Sequence, residues 1–117
     1  PNYYIYFELG RTEFLREVGG MSYREMEEMG IMLPIVETHC KYKIPAKYDD
    51  ELVVITRIKD ITVARITFTY QLIRKEDETI LAEGETTSAF TDKDGKPINL
   101  KKKYPDVYDK LLAIKTG

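Results

Sequence analysis

The chain reads as an α+β protein in which a long helix lies against a curled antiparallel sheet. Three observations predict this. The first helix has almost no polar face. Four strands with apolar and polar residues in alternation follow it. Turn residues separate those strands at hairpin spacing.

The first helix is expected over Tyr3 to Val18, capped by Asn2 and stopped at Gly19-Gly20. Its first two turns hold Tyr3, Tyr4, Ile5, Tyr6, Phe7 and Leu9, with Glu8 as the one charge. A surface helix keeps a polar face, so this one is expected to be wrapped by other structure. Ser22, with Glu25 three residues on, is a capping box that opens a short helix from Tyr23 to Met29, closed by Gly30. The period then changes. Ile35 to Lys43 reads as a strand begun by Pro34, and Pro45 to Asp50 as a turn. Leu52 to Ile61 is a Val/Ile-rich strand.

Ala64 to Arg74 alternates most clearly. Ile66, Phe68, Tyr70 and Leu72 share one face; Arg65, Thr67, Thr69 and Gln71 share the other. Lys75 to Glu78 is a polar hairpin loop. Thr79 to Thr91 is a further strand, with small residues Ala82, Gly84 and Ser88 on one face, where a sheet can curve closely over a helix. Asp94-Gly95 marks a tight turn. Pro105 starts a last amphipathic helix with Val107, Leu111 and Leu112 as its apolar stripe.

Length and composition fit one domain over residues 1–117. The net charge of −2 gives no pull towards nucleic acid. The longest apolar stretch, Ile31 to Val36, is far too short to span a bilayer. A single cysteine, Cys40, excludes an internal disulfide and fits a reducing cytoplasm. The one basic run, Lys101-Lys102-Lys103, reads as a solvated turn before the last helix, with a docking point for a phosphate-bearing ligand as the sharper alternative.

Few residues announce chemistry. His39 stands mid-strand without a local partner and reads as structural; Cys40 reads as a core thiol rather than a nucleophile. No Cys, His, Asp and Glu spacing suggests a metal, and no phosphate loop or serine elbow occurs. Glu8 is the odd residue. A carboxylate among apolar neighbours must be paired or must face a cavity. Either it pairs with Arg11, three residues on, or it forms the polar floor of a ligand pocket. Glu13 and Arg16 are expected to face outward.

Asn2-Tyr3 and Glu8-Leu9-Gly10-Arg11-Thr12-Glu13-Phe14-Leu15, followed by Pro34-Ile35-Val36, Tyr48-Asp49-Asp50-Glu51-Leu52 and Ala82-Glu83-Gly84, are similar in order and spacing to a known pattern. The chain resembles the hotdog-fold acyl-CoA thioesterases of the 4-hydroxybenzoyl-CoA thioesterase type along its whole length. The resemblance implies hydrolysis of an acyl thioester, carried on CoA or on an acyl carrier, to a carboxylic acid and a thiol, without a cofactor. It also implies a homodimer or dimer of dimers with the pocket at the protomer interface. Asn2 and Tyr3 match the helix start beside the reacting carbonyl, and Glu8 a position lining the acyl pocket. Thr62 and Arg65 match a turn that contacts the nucleotide part of CoA, for which Lys96 and the Lys101 run are weaker candidates. The family's essential aspartate belongs to a strand ahead of the first helix. The chain starts at Pro1, so that strand is expected upstream and the catalytic residue is not in this sequence.

Rival readings are a non-catalytic module that binds an acyl group and a helix-in-sheet ligand-binding fold of another lineage. Enoyl thioester hydration is disfavoured, because it wants an Asp–His pair and His39 shows no partner.

Overall fold

The computed structural model describes residues 3–17, 20 and 22–116, the side chain of residue 116 excepted. In chain order come α1 (Tyr4–Glu17), α2 (Tyr23–Met29), β1 (Ile35–Tyr42), β2 (Leu52–Ile61), β3 (Arg65–Arg74), β4 (Ile80–Ala89), α3 (Leu100–Lys103) and α4 (Pro105–Thr116). The expected Asn2 cap and the helix end at Val18-Gly19 lie outside the described residues. The strands form one antiparallel sheet in the order β1-β4-β3-β2. Strand ends fall within two residues of expectation. The largest difference is Thr91, which leaves β4 to bridge Met32 and Pro97.

The alternation on β3 is realised: Ile66, Phe68, Tyr70 and Leu72 are all buried on the helix side. Register extends that face into rows. One row holds Cys40, Gly84, Tyr70 and Thr56; the next holds Thr38, Thr86, Phe68 and Ile58. α1 lies across these rows. Phe7 covers Gly84 and stacks on Tyr70 with ring centroids 4.9 Å apart. A Cβ on Gly84 would lie 2.3 Å from Phe7 Cε2, and one on Gly10 would lie 2.6 Å from Thr56 Oγ1. Both glycines are therefore set by close approach of helix and sheet.

The sheet covers one side of α1, which lies against it as the sequence led us to expect. Tyr3, Phe7, Arg11 and Leu15, four residues apart, are buried, whereas Ile5 is 61% and Leu9 57% exposed. A helix apolar on every side gives no periodic signal for which stripe faces the sheet. The two glycine contacts decide it.

The remaining elements close the core. Ser22 Oγ accepts the Glu25 N–H at 3.2 Å and Gly30 ends α2 in the left-handed region at φ 93°. The Tyr104 hydroxyl donates to the Met29 carbonyl at 2.7 Å, tying the end of α2 to the start of α4. Val107 and Leu111 of α4 are buried and Leu112 is half-buried. The Lys101 run is a turn of helix, not an open turn, because Asn99 Oδ1 accepts the Lys102 N–H at 3.0 Å and caps it. Asp92 likewise accepts the N–H groups of Asp94 and Lys96, fixing the turn at Gly95. At the opposite end of the sheet Arg74 Nε donates to Asp50 Oδ2 at 3.0 Å between two half-buried residues. The Lys47 N–H, then Arg74, hold the Asp50 carboxyl below its usual range, against the opposing effect of burial.

Adding one methyl at Gly84 should force the Phe7 ring off Tyr70. Gly84→Ala is expected to cost about 1–3 kcal/mol of stability. The cost should shrink when Phe7→Leu is added, as read from urea unfolding of the two variants.

Candidate functional site

The helix-side rows leave a cavity of about 290 Å³ between α1 and the edge of the sheet. Tyr4, Phe7 and Glu8 of α1 line it with Ile35 and Thr38 of β1 and Thr86 of β4. Its walls are mostly apolar and Glu8 is its one charged group. The alternation that buries Thr86 also turns its partner Thr38 to the helix side, and a register shift between Ile35 and Glu37 brings Ile35, opposite Ser88, to the same side.

Glu8 is both ion-paired and at the cavity, so the two readings of the sequence hold together. Arg11 NH2 donates to Glu8 Oε2 at 3.0 Å, and Arg11 NH1 donates to Ser88 Oγ at 2.9 Å. The Arg11 side chain is 7% exposed, and its guanidinium carbon sits 4.8 Å from the centre of the Tyr23 ring. The guanidinium is thus buried among three partners and presents Glu8 to the cavity. Ser88 and Tyr23 were not foreseen in this role. The available signal was Arg11 itself, four residues from Phe7 and from Leu15 on the buried stripe. Burial drives the Tyr23 phenol up, and pushes that of Tyr70 to about 12. Tyr70 is therefore neutral; its hydroxyl bonds to Thr86 Oγ1 at 2.7 Å, beneath the cavity.

A second cavity, of about 330 Å³, lies on the other face of the same strands. Glu37 and Thr87, the sequence neighbours of Thr38 and Thr86, open onto it with Lys59, Thr62 and Arg65. Thr62 Oγ1 accepts the N–H groups of Ala64 at 3.2 Å and Arg65 at 3.0 Å, which shapes the turn. Lys59 is paired with Glu85 at 2.7 Å, whereas Arg65 has no ion-pair partner among the described residues. A wider groove of about 480 Å³ on this outer face is lined by His39, Lys41, Arg57, Glu83 and Glu85 among others. Charged walls of that kind do not suit an apolar chain.

The residues carried over by resemblance are brought together only in part. Glu8 faces the inner cavity, and Thr62 and Arg65 share the outer one. Asn2 lies outside the described residues. The Tyr3 side chain is buried in the core, its ring centroid 5.2 Å from that of Tyr42, and its hydroxyl accepts the Ala46 N–H at 3.2 Å. Lys96 and Lys101 to Lys103 line neither cavity. His39 has a partner after all: its Nε2 is 3.0 Å from Glu37 Oε1, one strand period away on the exposed face. Cys40 is half-buried against the core. Among the described residues no cluster of three or more His, Cys, Asp or Glu could hold a metal ion, and no helix is long and apolar enough to cross a membrane.

Comparison with known proteins bears on this geometry. A family model described as the thioesterase-like superfamily matches residues 1–113. The chain is 33% identical over 106 residues to a "Putative esterase" of Aquifex aeolicus, covering 91% of this chain and 80% of that one. It is 30% identical over 106 residues to the "Putative acyl-CoA thioesterase YneP" of Bacillus subtilis, covering 90% and 75%. Among solved structures, a DHNA-CoA thioesterase from Staphylococcus aureus superposes with a TM-score of 0.85 at 28% identity, covering 98% of this chain and 78% of that one. The helix on a curled four-stranded sheet is the hotdog arrangement of these neighbours.

The Arg11 cluster is testable without a substrate. Ser88→Ala removes an acceptor from a buried guanidinium and should cost about 1–3 kcal/mol. Arg11→Met should cost more alone, yet the double variant should be more stable than the two losses added together, because the partners act as one unit. Thermal unfolding of the three variants measures this.

Proposed function

The chain belongs to the thioesterase-like superfamily, and we propose that it is an acyl-CoA hydrolase, releasing a carboxylic acid and free thiol. The observation that carries this reading is the inner cavity. It has apolar walls for an acyl group, the first residue of α1 at its mouth, and one carboxylate held by a buried arginine. The amino end of a helix favours an oxygen that gains negative charge, as a thioester carbonyl does under attack. Asn2 and the backbone at Tyr3 would lie beside that carbonyl. The names of the relatives, acyl-CoA thioesterase and DHNA-CoA thioesterase, support CoA as the carrier thiol. The outer cavity supplies the matching polar end, where Arg65 and the Thr62 turn would meet the nucleotide phosphates across β1.

In this reading the described residues bind and orient the thioester. The family resemblance assigns the attacking carboxylate, or the base that activates water, to a strand ahead of the family's first helix. A second protomer completes the pocket. β1 is an edge strand, and Ile35 and Val36 are exposed along it at 39% and 49%. An uncovered apolar edge invites pairing with another strand, and an isologous pair across β1 would wall the open side of the inner cavity. The setting is the cytoplasm, where acyl-CoA and the reduced Cys40 both belong.

Release of free thiol from short, long and aromatic acyl-CoAs by the full-length protein tests the activity. Selectivity among them is expected, and a flat, background-level response would reject it in favour of a non-catalytic acyl-binding module. Glu8→Gln should shift relative kcat/KM between acyl groups by about tenfold. Unchanged preference with lower stability would leave Glu8 a purely structural partner of Arg11. For the interface, Val36→Lys should turn a dimer into a monomer in sedimentation velocity while leaving the fold intact.

A further inference from the structure

β1 is the least covered strand of the sheet. Every residue of it is exposed except Cys40, which is half-buried. β2, the other edge, lies against α1 and α4. A strand bare on both faces and along one edge invites a partner strand. The Lys43 N–H donates to the Leu81 carbonyl at 2.9 Å. Antiparallel bonding alternates, so Glu37, His39 and Lys41 turn their backbone groups to β4, and Thr38, Cys40 and Tyr42 turn theirs to the open edge. The side chains alternate too: Thr38, Cys40 and Tyr42 stand on the helix side, Glu37, His39 and Lys41 on the outer face.

The charges on that outer face select one way of pairing. Glu37 bonds only to His39 of its own strand, and Lys41 makes no ion pair among the described residues. Two-fold pairing reverses the strand, so opposite charges at its two ends can meet. With the axis at His39, Glu37 meets the partner's Lys41 and Lys41 meets the partner's Glu37. Moving the axis to Thr38 sets Lys41 against Ile35; moving it to Cys40 sets Lys41 against His39. Both shifts lose the two Glu37–Lys41 pairs. β2 offers no such match, since Arg57 and Lys59 have no acid between Leu52 and Lys59 to meet. On the helix side the same axis sets Thr38 opposite the partner's Cys40, and Val36 opposite the partner's Tyr42. Tyr42 is 56% exposed in the single chain, so this pairing covers two apolar residues at once.

We propose that β1 pairs with β1 of a second copy about an axis at His39, and that the partner thereby supplies one residue to each cavity: Tyr42 to the inner and Lys41 to the outer. This rests on the two-fold pairing of the proposed function and adds its register and the residues that cross it. Ile35 and Thr38 line the inner cavity, so the partner's Tyr42, opposite Val36, walls its open side. Glu37 opens onto the outer cavity, where a bare carboxylate opposes a phosphate; the partner's Lys41 offsets that charge.

Cross-linking and a charge swap test the register in the full-length protein. At the axis His39 faces the partner's His39 as a non-hydrogen-bonded pair, with Cα atoms about 4.5 Å apart, within reach of a disulfide. In a Cys40→Ser background, His39→Cys should therefore give a covalent dimer on mild oxidation, and Thr38→Cys and Lys41→Cys should not. Glu37→Lys and Lys41→Glu should each raise the dimer Kd by about tenfold or more in sedimentation velocity, and the double variant should return it to within about threefold of wild type. Tyr42→Ala, with its fold checked by circular dichroism, should raise kcat/KM for long over short acyl-CoA by about tenfold, and Tyr42→Phe should leave that ratio within about twofold. A wild type that sediments as a monomer means that the two-fold reading has failed, and this inference with it. A dimer that cross-links at native Cys40 or at Lys41→Cys keeps the pairing and rejects this register, as does a charge swap without rescue. Unchanged acyl preference in Tyr42→Ala removes Tyr42 from the site. If no acyl-CoA is cleaved, the thioesterase reading has failed, and cross-linking and the charge swap still decide the pairing.

Discussion

Close approach of α1 to the sheet is the constraint on which the rest of the molecule depends. Two points of contact have no room for a side chain: Gly84 beneath the Phe7 ring, and Gly10 above Thr56. Between them the helix is held in one rotation about its axis. That rotation sends Phe7, Arg11 and Leu15 inward and leaves Ile5 and Leu9 outward. A turn of the helix by one residue would carry Arg11 out of reach of Ser88 and remove Glu8 from the cavity. Packing and site geometry are therefore one problem, solved by two small residues on different elements.

A charge enters this apolar contact because both terminal nitrogens of its guanidinium find acceptors, although the buried Nε has no hydrogen-bond partner among the described residues. The Arg11 guanidinium is bonded to Glu8 and Ser88 and rests on the Tyr23 ring, so three elements, α1, α2 and β4, meet at one cation. Burying an arginine is costly in isolation; here the hydrogen bonds and the ring offset that cost. The same arrangement sets a carboxylate beside apolar walls, which is the feature that separates this cavity from an ordinary packing defect. Neutral Tyr70 and its bond to Thr86 complete a floor that is polar in places yet uncharged.

In the proposed function the two faces of the sheet would divide the work of recognising a two-ended acyl thioester. Consecutive residues of a strand point to opposite sides, so Thr38 and Glu37, or Thr86 and Thr87, belong to different cavities a sheet's thickness apart. An apolar end and a polar end can then be held by the same two strands.

Periodicity and local caps made much of the fold legible in the chain itself. The apolar rows of β3, the Ser22 and Gly30 ends of α2, the turn at Gly95 and the Val107–Leu111 stripe of α4 are short-range facts. They depend on neighbours a few residues apart, and they were read within two residues. The pairing of Glu8 with Arg11 was legible for the same reason. What tertiary structure alone decided depends on contacts between distant elements. Ser88 as the acceptor of Arg11 lies 77 residues away. The Tyr3 side chain went to the core because Ala46 offers its hydroxyl an N–H. The exposed side of α1 was invisible, since a helix apolar all round carries no mark of the stripe it buries; only the shape of the sheet beneath it chooses.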